Sequence, residues 1–552
     1  MSARAAGPAG LSLCAGLVLA SGLVIQRHGL FDGLKSEIQS LRVPVSALRA
    51  GAGPIARLME YKGRIGIELQ GIDGGLPGEV MPSSVAVTPS ALDKGWPVLS
   101  IVVDPDDLYD PDRGIVAHPH NRGMKWERPA YASLFEDGRL TFATGAGLRV
   151  HGGKSRNMPE PSFRLCFRKV YGAREFAPGA LFEGRGDPIR SLVVHNDIRR
   201  HRREGPDEWW RFVNPLAYDV SRRVGCLTPE TLTVRFYVNG EDLGPYVLTE
   251  HLSEDWIAAR LGHRNFVLVD TKADQGPWEV KFGDPAIHDE FVTWATASEP
   301  LTLEQAAERV DVENLSRWFL SVLYLGPTDD NQGLQVLDRS KPGGRWFWVN
   351  WDMDHSFVDR YHQAERPWEF DAFKSVLDGK LHNLRADILE RLLRDSPEFR
   401  DSFSRLMVDA LNHLLTPEYV ESRIGHYEEM AAAHGVEDLS YVAKEREFVK
   451  HRPEVLREQM RTYLGSGPSH RCTVTAGVGV ALEIDGFPEN TPYEGWYVDG
   501  MEVTVRVPEQ DRGRFSHWRV DGEDLTAGDP ELIVAVDHDT AIEAILVARS
   551  SA

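Results

Sequence analysis

An α+β fold is predicted for this chain, with a β-rich N-terminal part, a helical C-terminal part and a small all-β module after it. Three observations carry that expectation. Residues 97–103, 140–144, 148–151 and 163–167 are short apolar or alternating runs set between Asp, Gly and Pro, which is strand patterning. Between 380 and 465 apolar residues recur at helical spacing, as at Leu389, Leu392 and Leu393. Beyond the punctuation at Gly465–Pro468, residues 471–549 return to a β pattern with aromatic residues and Asp-Gly turns. The expected organisation is 1–28 as a membrane anchor or signal segment and 29–95 as a linker and β-rich lead-in. A main domain over 96–465 and a β-rich domain over 470–550 follow.

Composition bounds the function. The 552 residues are 42% hydrophobic and 26% charged, an ordinary globular balance. The net charge of -21 is spread along the chain and gives no basic face, so nucleic acid is not an expected partner. Cys14, Cys166, Cys226 and Cys472 lack metal-ligand spacing and read as core thiols, with a Cys166–Cys226 disulfide left open. Residues 7–25 are uncharged and mostly apolar, with Arg4 before them and Arg27 after. Such a run just reaches the ~20 residues that span a bilayer. It also fits a signal peptide cleaved after Ala20. Either reading exports the rest of the chain, as a single-pass protein on the extracytoplasmic face of the cell membrane or as a secreted one.

The elements follow in order. Arg64–Leu69 alternates like a strand. Pro97–Val103 is a strand, Asp104–Asp112 is acidic and turn-rich, and Leu140–Thr144, Leu148–His151 and Phe163–Phe167 are strands. A helix is expected from Glu208 to Val224, closed by Gly225. Leu232–Val238 and Gly244–Thr249 flank Asn239-Gly240, a strong hairpin signal, and a helix follows that ends at Gly262. Helices also fit Leu303–Val310 and Glu313–Leu325.

The sharpest constellation lies between 326 and 357. The loop Thr328-Asp329-Asp330-Asn331-Gln332-Gly333 precedes the strand Leu334–Leu337. After a turn at Ser340–Gly344 comes a second strand, Arg345–Trp351, and then Asp352-Met353-Asp354. Consecutive strands with a short turn pair antiparallel, so both acidic clusters are expected at one edge of the hairpin. Carboxylates gathered there repel one another unless a hard cation such as Mg²⁺ neutralises them. One of them is then left to orient a hydroxyl nucleophile. The order parallels protein kinases, where a catalytic Asp and a metal-binding Asn precede a second metal-binding Asp. The competing reading makes these residues turn formers and backbone caps.

Two further segments add to this. Leu148-Arg-Val-His-Gly-Gly-Lys-Ser-Arg156 and Ser162-Phe-Arg-Leu-Cys-Phe-Arg168 hold glycines that let backbone approach a ligand. They also hold cations suited to phosphate oxygens: Lys154, Arg156, Arg164 and Arg168. Arg164 and Arg168 share a face if both lie in a strand. The spacing is not that of a Walker motif. Glu250, after the Asn-Gly hairpin, is placed to pair with a phosphate-contacting cation or to begin a helix.

Taken together, His151-Gly-Gly-Lys-Ser-Arg156, Ser162-Phe-Arg-Leu165, Tyr171-Gly172, Asn239-Gly240, Gly244, Tyr246, Glu250, Asp329-Asp-Asn331 and Trp351-Asp-Met-Asp354 resemble the CotH kinase family over roughly 96–465. That family is named after a spore-coat protein. The resemblance implies an atypical, shortened protein-kinase fold that phosphorylates proteins with ATP and a divalent metal, Mg²⁺ or Mn²⁺. It implies Asp329 as the catalytic residue, with Asp330 the alternative alignment, and Asn331, Asp352 and Asp354 as metal ligands. Gly153, Lys154, Ser155, Arg156, Arg164, Arg168 and Glu250 are implied on the nucleotide side. Partners implied are envelope or surface protein substrates. Two departures stand out: Pro161 occupies a position where family members often carry Lys, and the acidic loop is compressed. Each weakens the case for phosphate transfer, and the Pro161 departure favours a pseudokinase that serves as a structural or binding protein. A glycoside hydrolase, with paired carboxylates flanking a groove, is a third reading. Phe515-Ser-His-Trp-Arg-Val-Asp-Gly522 is similar to β-rich bacterial surface-repeat modules, which implies attachment or spacing.

Overall fold

The computed structural model describes residues 97–158, 160–172, 181–182, 188–196, 199–200, 209–210, 212–271, 278–327, 332–357, 365–378, 384–433, 435, 440–477, 480–525 and 528–547. The expected anchor segment and the lead-in, with its Arg64–Leu69 strand, lie outside these. No helix among the described residues is long and apolar enough to cross a membrane. The chain forms two compact units, one of residues up to Phe176 with Val234–Gly244, the other of Ala177–Thr233 with Pro245 to the C-terminus.

The first unit begins with β1 (Val98–Val103), which is buried along its whole length, as a run that is apolar except for Ser100 favours. The acidic stretch behind it is more than a turn. Asp104 accepts from the Asp106 amide and caps a short helix, α1 (Pro105–Tyr109). An antiparallel ladder follows through β2 (Arg128–Glu136), β3 (Arg139–His151) and β4 (Ser162–Cys166). β3 joins the two strands read separately in the sequence, because Gly145 and Gly147 stay in register opposite Tyr131 and Pro129. Residues Arg235–Val238 return alongside β1 in parallel, and these strands belong to an N-terminal β-barrel sheet. Asn239 and Gly240 both take positive φ, the geometry the Asn-Gly turn demands.

The second unit contains β5 (Ser191–His195), the small ribbon β6 (Arg199–Arg200) and β7 (Trp209–Trp210), and helix α2 (Val213–Arg223). The expected helix start at Glu208 is displaced. Trp209 and Trp210 pair as a strand, as bulky aromatics prefer. Strands β8 (Thr231–Val238) and β9 (Glu241–Glu250) form the hairpin arms, and Val247–Glu250 pairs antiparallel with β5. Helix α3 (Glu254–Leu261) is capped by Ser253 and closed by Gly262 in the left-handed conformation. A four-stranded sheet, ordered β11-β10-β12-β13, is built from β10 (Phe266–Asp270), β11 (Glu279–Phe282), β12 (Leu334–Asp338) and β13 (Trp346–Val349). Between its halves run α4 (Pro285–Ala295), α5 (Leu303–Arg309) and α6 (Val312–Leu325).

Helix α7 (Ala372–Leu377) precedes the expected helical stretch, which is present as α8 (Leu384–Asp395), α9 (Pro397–Asp409), α10 (Pro417–Ala433) and α11 (Ser440–Leu464). A π turn over Ala410–Leu414 continues α9. The C-terminal strands form two sheets. One contains β14 (Ser469–Thr475), β17 (Tyr493–Val498), β19 (Phe515–Val520), β20 (Glu523–Asp524) and β22 (Thr540–Leu546). The other contains β15 (Ala481–Ile484), β16 (Phe487–Asn490), β18 (Met501–Arg506) and β21 (Glu531–Val536). One hydrophobic core runs from α2 and α6 through α8 and α9 into these sheets, joining Trp318, Phe399 and Met407 to Cys472, Leu482 and Tyr497. The π turn aims Asn412 at β17, where its amide both donates to the Trp496 carbonyl and accepts from the Trp496 amide. Cys166, Cys226 and Cys472 are free and buried, so no disulfide joins the first two, and burial pushes the Cys226 thiol up to about 12.

Candidate functional site

The site begins with the β12/β13 hairpin. Its register pairs Leu334 with Val349 and Leu337 with Trp346, so the entry to β12 and the exit from β13 share one edge. Gly333 marks the entry. Its φ is 139°, and a Cβ there would lie 2.5 Å from the Val349 carbonyl oxygen, so only glycine lets the chain pass this close. Asp352 and Asp354 follow the exit. The other cluster, Asp329, Asp330 and Asn331, lies outside the described residues.

The turn from 350 to 357 is bound to the surrounding elements. The Asn350 amide donates to the Leu227 carbonyl at 2.8 Å, and its side chain donates to Ser321 Oγ on α6 at 3.2 Å. The Asp352 amide donates to the Tyr218 hydroxyl on α2 at 3.1 Å. The Phe357 amide donates to the Leu325 carbonyl at the end of α6, at 2.7 Å. Asp352 and Phe357 both sit in the left-handed region, at φ 57° and 65°. For residues with a Cβ this conformation is costly and persists where the surroundings enforce it.

Asp352 opens into a small cavity that it lines with His195, Asn214, Tyr218, Val247, Thr249 and Trp351. Burial pushes the His195 imidazole pKa down, and the negative charge of Asp352 opposes that. Asp354 is not part of the cavity lining and lies 3.6 Å from His355 Nε2. Among the described residues, no group of three or more His, Cys, Asp or Glu is arranged to hold a metal. Around Asp352 the lining offers the Asn214 amide and the Thr249 and Tyr218 hydroxyls, oxygen donors of the kind Mg²⁺ or Mn²⁺ takes, together with the His195 imidazole.

The remaining expected residues fall into two places. In the first unit, Gly153 precedes a short 3₁₀ turn, Lys154–Asn157, that carries Ser155 and Arg156; the Lys154 side chain lies outside the described residues. Arg156 is buried and donates to the Gly152 and Pro119 carbonyls. Arg164 stands opposite Arg149 across β3 and β4. Arg168 lies past the end of β4, so it does not share a strand face with Arg164. It pairs with Glu127 at 2.8 Å, and Arg149 pairs with the same carboxylate at 2.6 Å. Gly147 makes room for that carboxylate, since a Cβ there would lie 2.6 Å from Glu127 Oε1.

Glu250, in the second unit, ends β9 and does not start a helix, because Ser253 takes the cap of α3 three residues on. Its carboxylate accepts from the Glu230 amide at 2.9 Å and from Arg260 at 2.8 Å, and the Arg260 guanidinium lies over the Trp256 ring. Glu250, Trp256 and Arg260 line a separate small cleft with Ser191, His251 and Asp255. Sequence reasoning missed His195, Asn214 and Tyr218. Asn214 and Tyr218 carried a signal, since residues four apart on a helix share a face. His195 did not, because five residues, Ser191–His195, make too short a run to fix which face the imidazole takes.

The comparisons with known proteins agree with one another. The family model described as CotH kinase protein matches residues 148–466. The inner spore coat protein H of Bacillus subtilis (strain 168) is 24% identical over 233 residues, 38% of this chain and 61% of that protein. The chain thus spans 61% of the length of this curated relative.

Proposed function

The chain belongs to the CotH kinase protein family, and from that premise we propose that it is an exported, membrane-anchored atypical protein kinase that transfers phosphate from ATP to Ser or Thr of envelope proteins. The observation that carries this reading is Asp352, held in a left-handed backbone conformation at the lip of a cavity with oxygen donors around it. Strained residues of this kind cluster at sites that bind or react.

In this reading Asp352, with Asp354 and Asn331, would hold Mg²⁺ or Mn²⁺. A bound divalent ion would neutralise the charge on the ATP phosphates. The anchored turn fixes Asp352 before ligand arrives, so little ordering is left to be done on binding. Asp329 or Asp330 accepts the proton of the substrate hydroxyl, orienting its oxygen toward the phosphorus. Catalysis then comes from positioning and preorganised charge.

Labelled ATP with Mn²⁺, given to wild type and to Asp354→Ala, tests the proposal. Label incorporated by wild type and lost in the variant, by at least ~100-fold, is the expected result. Label incorporated equally by both would overturn it. A second reading is a pseudokinase of the cell envelope. Arg156 and Arg168 favour it, since both are engaged by carbonyls or by Glu127. Nucleotide binding without label in either protein would select it.

A further inference from the structure

We propose that Tyr218 is a positioning residue for Asp352: its hydroxyl accepts the Asp352 amide and holds that residue in the left-handed conformation that presents its carboxylate to the cavity. The inference rests on the reading of Asp352 as a metal ligand and deepens it.

Three observations converge. Tyr218 is a 1% exposed residue of α2, a helix packed into the main core, so its hydroxyl is carried on a rigid mount. That hydroxyl is 3.1 Å from the Asp352 amide, and Tyr218 and Asp352 line the same cavity. The residue it grips is at φ 57°. The extended and right-handed regions are lower in energy for a residue with a Cβ, so removing this bond weakens the hold on the left-handed conformation. Leaving that conformation rotates the Cα–Cβ bond and carries the carboxylate away. The neighbouring anchors, from Asn350 to Leu227 and Ser321 and from Phe357 to Leu325, fix the ends of the turn. The Tyr218 bond reaches Asp352 itself. Asn214, one helical turn earlier on α2, lines the same cavity, so this face of the helix forms a wall of the site.

Tyr218→Phe keeps the ring and removes the acceptor. In the full chain, Mn²⁺ affinity read by electron paramagnetic resonance should fall by ~10-fold, the scale on which residues supporting a metal ligand act. The metal-free melting temperature should change little. Unchanged Mn²⁺ affinity would overturn the proposal, whether or not the melting temperature falls. Asp352→Asn separates the two levels of the argument. It should lose Mn²⁺ binding, and if it binds as wild type does, the metal reading of Asp352 fails and takes this inference with it. Amide exchange at Asp352 in the wild type gives a measurement independent of any variant. A protected amide, slowed further by Mn²⁺, is expected, and exchange at the rate of an unstructured chain would overturn the proposal.

Discussion

Glu127 illustrates how single residues in this chain carry charge into the interior. Its carboxylate is fully buried, yet Arg149 and Arg168 both reach it. Burial pushes its pKa up, but the Arg168 and Arg149 hydrogen bonds and charges outweigh this and hold the carboxyl below its usual range. A depressed carboxyl pKa stabilises the fold above the unfolded value near 4.5, and that stability is lost as pH falls through the lower folded value. Glu127→Gln leaves two cations facing a neutral amide. Breaking a buried pair costs about 3–5 kcal/mol. Arg168 is 40% exposed and can rehydrate, so the low end, about 3 kcal/mol, is expected in urea unfolding at pH 7. The difference from wild type should shrink as the pH is lowered below the unfolded value near 4.5. Of the two arginines, Arg168 was legible in the sequence as a phosphate candidate and Arg149 was not. Their commitment to Glu127 was not legible either, because the partner lies 22 and 41 residues away and meets them through sheet register.

Among the elements, the β12/β13 hairpin was read correctly, because a turn of Ser, Lys, Pro and two glycines between apolar runs leaves little alternative. The ends of the elements were harder. Arg345–Trp351 shortened to Trp346–Val349, since Asn350 leaves the ladder to bind Leu227 and Ser321. Helix α6 ends at Gly326, as glycine allows, but its last turn is also satisfied from a distance. Arg452 on α11 donates to the Leu323 and Tyr324 carbonyls and to those of Trp368 and Phe370. A buried cation at a helix C-terminus complements its partial negative charge, and no local pattern announces it. The tight approach at Gly333 gives this scale its test. Gly333→Ala should destabilise the protein by about 2–3 kcal/mol through the clash with Val349, measured by chemical denaturation. It should also weaken Mn²⁺ binding, because the hairpin edge it pries open leads directly into Asp352.

Across the whole molecule, the sequence separated a helical part from a C-terminal β part at Gly465–Pro468, and that boundary is visible in the elements. The continuity of the core across it was not legible, since the contacts that create it come from the π turn and from single buried side chains. Arg405 reaches Asp485 at 2.6 Å, and His413 reaches Glu489 at 2.8 Å. Burial pushes Asp485 up, and hydrogen bonds from His413, Thr504 and Tyr497 with the Arg405 charge bring it below its usual range. The α8–α9 region and the C-terminal sheets should therefore melt in one calorimetric transition. Asp485→Asn should lower that transition without splitting it; two separate transitions would show that the β part is an independent module.

The central claim is that the turn after β13 presents a metal-binding edge for phosphate transfer. Anomalous diffraction from crystals holding Mn²⁺ and a non-hydrolysable ATP analogue tests it most directly. A manganese peak about 2.0–2.2 Å from an Asp352 or Asp354 carboxylate oxygen, with nucleotide phosphate against it, is the expected result. Nucleotide bound in the crystal with no manganese at either carboxylate would contradict the account.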